Sequence, residues 1–231
     1  MTPLTGISSM ATRGVLAELA RLYSAATGQR VDVLAIGGVD AARRVHDGEA
    51  FDFVVLARDV VDRLGSQDRV DRTTIVDLVH SDIAVAVAMG APKPDIGSES
   101  ALREAVLQAG RVGISSGPSG DYMRELLARW RLADALGSRL VRTAPGVPVG
   151  SLIANGDIDL GFQQLSELMH VPGVDVVGLL PAAIRRTTVF AAAVCTSSTQ
   201  PEATRALLAY LASYAADAAK RRHGMNPVAV A

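Results

Sequence analysis

Residues 4–36 read Leu4-Thr5-Gly6-Ile7-Ser8-Ser9-Met10-Ala11-Thr12-Arg13, then Val15, Leu16, Leu19, Leu22 and Tyr23 at three- and four-residue spacing as far as Gly28, then Val31-Asp32-Val33-Leu34-Ala35-Ile36. An apolar strand, a hydroxyl-bearing turn, an amphipathic helix stopped by glycine and a second apolar strand follow one another. That succession is the unit from which parallel sheets with crossover helices are built. The same alternation continues, with strand-like runs at 51–56, 75–79, 83–89, 112–115, 140–142, 158–162, 174–177 and 188–194. The expected fold class is therefore α/β with mixed, mostly parallel sheets. Met123, Leu126, Leu127 and Trp130 repeat the helical stripe and are expected in the core. A last helix is expected from Pro201 to about Lys220, and its basic end Lys220-Arg221-Arg222-His223 is expected to be a solvated cap on the helix dipole. The prolines of Ala91-Pro92-Lys93-Pro94 break the chain after a strand suited to pass between lobes.

Composition narrows the function classes. In 231 residues, 23 Lys and Arg balance 24 Asp and Glu, so there is no clustered positive excess and nucleic acid is not the expected partner. No apolar run approaches the roughly 20 residues of a membrane helix, so no membrane insertion is expected. The start, Met1-Thr2-Pro3-Leu4, lacks the basic segment and apolar run of a secretory leader. As written, the chain is expected in the cytoplasm; a periplasmic site, and an ABC transporter as partner, would apply if the N-terminus is truncated. Cys195 follows an apolar run and reads as an inert buried thiol. His46, His80, His170 and His223 have no metal-ligand spacing, and Walker, dinucleotide and nucleophile-elbow motifs are missing. Neither a metal nor a cofactor is expected.

Polar groups gather where strands give way to helices. In an open α/β sheet, ligands sit beyond the carboxyl ends of the strands, where backbone N–H groups are unpaired. The first such turn offers Ser8, Ser9, Met10 and Arg13, the second Gly38 and Val39, and the third Ala57-Arg58-Asp59. Later turns offer Ser115, Ser116, Ser119 and Gly120, then Val147 and Pro148, then Gln163 and Gln164. Hydroxyls and glycines at helix starts suit a small anionic ligand. Each Ser or Thr could instead merely cap its own helix; the coincidence of several such turns in both halves favours a ligand.

These residues carry a resemblance. With Ser8 and Ser9, the block Gly38-Val39-Asp40-Ala41-Ala42-Arg43-Arg44-Val45 followed by Gly48 and Phe51-Asp52-Phe53-Val54-Val55, and the late Asn155-Gly156-Asp157-Ile158-Asp159-Leu160-Gly161-Phe162, the chain resembles the class II periplasmic-binding-protein family, molybdate-binding type. The resemblance implies a two-lobed clamshell with two interlobe crossovers. Lobe I would take residues 1–82 and 191–231, and lobe II residues 83–190. An oxyanion or organic di- or tricarboxylate would bind between them, as in a solute-binding protein. Two turns depart from the family pattern: Gly38 and Val39 stand where a serine is usual, and Gln163 and Gln164 where a tyrosine is usual. Those amides suit a carboxylate as well as molybdate. The chain is also similar to the aconitate isomerases of the same fold, which implies the alternative of a cytosolic isomerase shifting a C=C bond by allylic proton transfer. For that chemistry Asp40 and Asp121 lie on suitable turns, but no residue is identifiable as the base.

Overall fold

The computed structural model describes residues 2–228. In chain order the elements are β1 (Leu4–Ser9), α1 (Arg13–Thr27), β2 (Val31–Ile36), α2 (Gly38–His46), β3 (Phe53–Ala57), α3 (Arg58–Ser66), β4 (Val76–Ala88), α4 (Glu99–Gln108), β5 (Val112–Ile114), α5 (Pro118–Arg129), α6 (Ala133–Leu136), β6 (Leu140–Arg142), α7 (Val149–Ala154), β7 (Leu160–Gln164), α8 (Leu165–Leu168), β8 (Val174–Leu179), β9 (Thr187–Val194), α9 (Pro201–Ala212), α10 (Asp217–Arg222) and β10 (Asn226–Pro227). The chain divides into two compact units. The first runs to Ser81 and resumes at Val189; the second is Asp82–Thr188. Strands β4 and β9 contain the two passages.

In the first unit β1 lies between β2 and β3, parallel to both, and β9 pairs antiparallel with β3. Period-two alternation gives the sheet two apolar faces, as burial on both sides requires. Phe53 and Val55, with Phe190, Ala192 and Val194, face a cluster that includes Leu16, Leu19 and Leu207. Val54 and Leu56, with Ala191, Ala193 and Cys195, face another with Val45, Val61 and Leu64. Gly6 is required on β1, because a Cβ there would stand 2.2 Å from the Phe53 ring. The stripe of α1 packs as expected: Val15, Leu16, Leu19 and Tyr23 are buried. Gly28 ends α1 in the left-handed region at φ 75°, its N–H returning to the Ser24 carbonyl.

In the second unit β5 lies between β6 and β7, parallel to both, while β7 and β8 pair antiparallel with β4. Ile83, Val85 and Val87 face one core with Met123, Leu126, Leu127 and Trp130; Ala84 and Ala86 face another with Val149 and Ile153.

Three expectations are corrected. The separate strands expected at 75–79 and 83–89 are one strand, β4, continuous through His80-Ser81-Asp82. Ser81 is fully buried, and Asp82 accepts the Thr187 hydroxyl at 2.5 Å, so polar residues that read as a break are held inside the ladder. The last helix is interrupted: Ser213 is extended (φ −76°, ψ 164°) and separates α9 from α10. Lys220 is not solvated but 1% exposed, with its Nζ 3.6 Å from Asp217, and burial pulls its pKa down. Only the rest of that basic end faces outward, where Arg222 and His223 engage Glu18 of α1. Cys195 is buried, and desolvation, then the charge of Asp52, push its thiol up to about 12, which fits an inert role.

Candidate functional site

Parallel register brings the predicted turns of each unit to one sheet edge. In the first unit Ser9 is paired with Ile36, the last residue of β2, and Ser8 with Val55 near the end of β3. The turns 8–13, 37–40 and 57–59 therefore emerge side by side. Ser8 is fully buried and its hydroxyl donates to the Ser9 carbonyl at 3.3 Å; the Thr12 hydroxyl donates to the same carbonyl at 3.1 Å. The Ser9 hydroxyl is buried and has no partner. Gly38 lies against it, since a Cβ on Gly38 would stand 3.6 Å from the Ser9 Cβ. Met10 is half-buried, and Arg13 is exposed at the start of α1 with no carboxylate partner among the described residues. Val39 is 68% exposed in the first turn of α2.

None of α1, α2 and α3 has a side-chain cap at its first turn. By contrast Ser98 caps α4, accepting the Ala101 N–H at 3.1 Å. The hydroxyls of the first turn are thus not spent on capping, and the leading N–H groups of α2 remain open to an acceptor.

In the second unit Ile114 is paired with both Arg142 and Phe162, so the turns after β5 and β6 and the last residues of β7 share one edge. Gln163 and Gln164 belong to β7 itself, which runs two residues beyond the strand expected at 158–162. Ser115 and Ser119 are buried and bonded to each other at 2.8 Å, and the Ser115 hydroxyl accepts the N–H groups of Gly117 and Gly120 at 3.3 and 3.1 Å. Here the capping alternative accounts for the Ser115 side chain. Gly120 is obligatory, because a Cβ there would fall 1.7 Å from the Ser115 carbonyl oxygen. Ser116 is half-buried, and its carbonyl accepts from Arg142 at 3.2 Å. Val147 is 40% exposed and Pro148 half-buried, just before α7.

The two glutamines differ. Gln163 is committed internally: its Oε1 accepts the Val149 N–H at 2.8 Å and its Nε2 donates to Glu167 at 2.8 Å. Gln164 donates to the Thr188 hydroxyl at 2.9 Å, and its Oε1 is buried with no partner. A hydroxyl can donate or accept, so this amide can turn either end outward. Two residues outside the candidate ligand set stand out, Thr143 at the head of the turn 143–148 that supplied Val147 and Pro148, and Glu167. Thr143, paired with the end of β5 through its N–H to the Ile114 carbonyl at 3.0 Å, has a buried hydroxyl without a partner. Glu167 is half-buried, and desolvation, opposed by the Gln163 hydrogen bond, raises its pKa to about 7. Thr143 lies in a turn that the sequence already places at this edge, and the four-residue spacing from Gln163 was the available signal for Glu167. The two carboxylates considered for proton transfer are ion-paired instead, Asp40 with Arg43 at 2.8 Å and Asp121 with Arg142 at 2.7 Å.

Known proteins share this fold. The periplasmic molybdate-binding protein of Azotobacter vinelandii superposes with a TM-score of 0.83 at 18% identity, covering 99% of this chain and 100% of that one. The sulfate-binding protein SubI of Mycobacterium tuberculosis gives 0.78 at 19% identity, covering 99% and 88%. At these identities the likeness establishes the fold. In sequence, the chain is 39% identical over 233 residues to an aconitate isomerase of Pseudomonas sp, covering 99% of this chain and 89% of that protein. The model of the family described as bacterial extracellular solute-binding protein matches residues 4–226, and the chain belongs to that family.

Proposed function

We propose that the chain binds a small anionic ligand, an oxyanion or an organic di- or tricarboxylate, through polar groups at the carboxyl ends of its parallel strands. One observation carries this reading. Among the described residues, the buried side-chain atoms without a partner include Ser9 Oγ, Thr143 Oγ1 and Gln164 Oε1, each at the end of a strand on those edges. A buried polar group left unpaired costs about 1–3 kcal/mol; bound oxygens would accept from the Ser9 and Thr143 hydroxyls, and from the Gln164 amide once its NH2 end is turned outward. The adjoining start of α2 adds N–H groups and partial positive charge. Calorimetric titration with molybdate, sulfate, citrate and cis-aconitate tests the reading: at least one should bind with a defined stoichiometry, and silence with all four would refute it.

A second reading is supported by a specific observation, the 39% identity to an aconitate isomerase over nearly the whole chain. On this reading the ligand is an unsaturated tricarboxylate whose double bond is shifted by proton transfer. Conversion of cis-aconitate to the trans isomer, followed by NMR, separates the two readings.

A further inference from the structure

Glu167 stands apart from the other carboxylates. It sits one turn beyond the end of β7, on α8, and reaches back to Gln163. Through Gln163 it is tied to the Val149 N–H, the first residue of α7, and so to the turn containing Val147 and Pro148. Gln164, between the two, keeps its buried unpaired oxygen. The elements packed against α8 are β7, α7 and β8. Of these β7 and α7 carry no charged side chain; β8 carries Asp175, which is engaged by the Gly90 N–H at 3.2 Å and by Lys93 at 3.9 Å. His170 follows α8 and is exposed. A carboxyl group at the ligand edge, held by an amide and not by an arginine, keeps its lone pairs for a proton.

We propose that Glu167 is the group that takes up and returns the proton of a bound unsaturated acid, with Gln163 as its positioning residue. This inference rests on the isomerase reading. The Glu167 carboxylate removes a proton from the methylene carbon beside the C=C bond. That C–H pair becomes the new C=C bond, and the former π pair moves to the far carbon, where its charge spreads into the attached carboxylate. The Glu167 O–H, which can exchange with solvent while the charge is spread, then delivers a proton to the far carbon, so one proton leaves the ligand and one returns and atoms and electrons balance without a co-reactant. Donors at the edge stabilise the charge while it is spread. A proton affinity near neutrality suits both halves of the cycle, and a carboxyl that is partly protonated also repels an anionic ligand less.

The test follows cis-aconitate with the purified protein in deuterated water by proton NMR, comparing the wild type with E167Q. The wild type should form the trans isomer and exchange deuterium into the ligand; E167Q should lose both by about a hundredfold or more while cis-aconitate still raises its melting temperature. Equal turnover by E167Q would overturn the role of Glu167 and leave the isomerase reading standing. A wild type that converts nothing at high concentration would overturn both. Should E167Q fail to fold, Q163L decides: losing the amide donor should move the acid limb of the pH–rate profile upward, and an unmoved limb would overturn the proposal.

Discussion

Replacing Glu167 by glutamine should make the protein more stable at alkaline pH and leave it unchanged in acid. In the native state burial lifts this carboxyl from 4.5 to about 7, with Gln163 as a weaker opposing influence. The folded form therefore holds a proton that the unfolded form has released, and stability falls as pH climbs from about 4.5 to about 7, then levels off. At about 1.4 kcal/mol for each tenfold change in proton affinity, the full effect would be about 3 kcal/mol. Because Glu167 is half-buried, water screens part of it, and about 2 kcal/mol is expected. Glutamine is neutral throughout and still offers an oxygen to the Gln163 N–H. The difference between the two proteins isolates the effect from every other titrating group. Urea denaturation of both should give coincident midpoints near pH 4.5 and, near pH 8, a gap favouring E167Q, equivalent to about 4–8 °C in melting temperature. If E167Q is equally or less stable near pH 8, the carboxyl is not held in the environment inferred for it.

Ser9→Ala should weaken anion binding by about 1–3 kcal/mol and leave the unliganded fold as stable or slightly more so, since it removes a buried hydroxyl without a partner; unchanged affinity in calorimetry would show that Ser9 does not meet the ligand. Thr143→Val, similar in shape, should behave likewise, and a stability loss without an affinity loss would contradict it. Gly120→Ala should disrupt the turn before α5 and lower the denaturation midpoint, because its methyl group would fall 1.7 Å from the Ser115 carbonyl oxygen; an unchanged midpoint would mean the turn yields. Leu19→Ala should cost about 2–5 kcal/mol through a cavity in the first unit's core, measured by urea denaturation.

What was legible in the sequence is what depends on neighbours along the chain. The faces of β3 and β9 follow from strict alternation, so Phe53 and Val54 fall into different cores, and α1 follows from its stripe and from Gly28. What was illegible depends on partners far away. Asp82 reads as a strand break until Thr187, 105 residues on, supplies its hydroxyl. Lys220 reads as a solvated cap, yet packing closes over it.

The same distinction sorts the candidate site. Ser115, Ser119, Gln163 and Gln164 look alike as donors in the sequence, but the fold consumes the first three internally and leaves one end of Gln164 unspent. A ligand recognises only what the fold leaves over. The side chains left over at these edges are Ser9, with the N–H groups of α2 beside it, in the first unit, and Thr143 and Gln164 in the second. Glu167 is a special case, because its one amide partner fixes its direction without neutralising it. An arginine in that place would have made it a structural ion pair like Asp121, and a chain that keeps a half-buried carboxyl near neutrality forgoes stability above pH 7 that glutamine would restore. Retaining that penalty beside unspent donors is the physical reason to look for proton transfer at this edge.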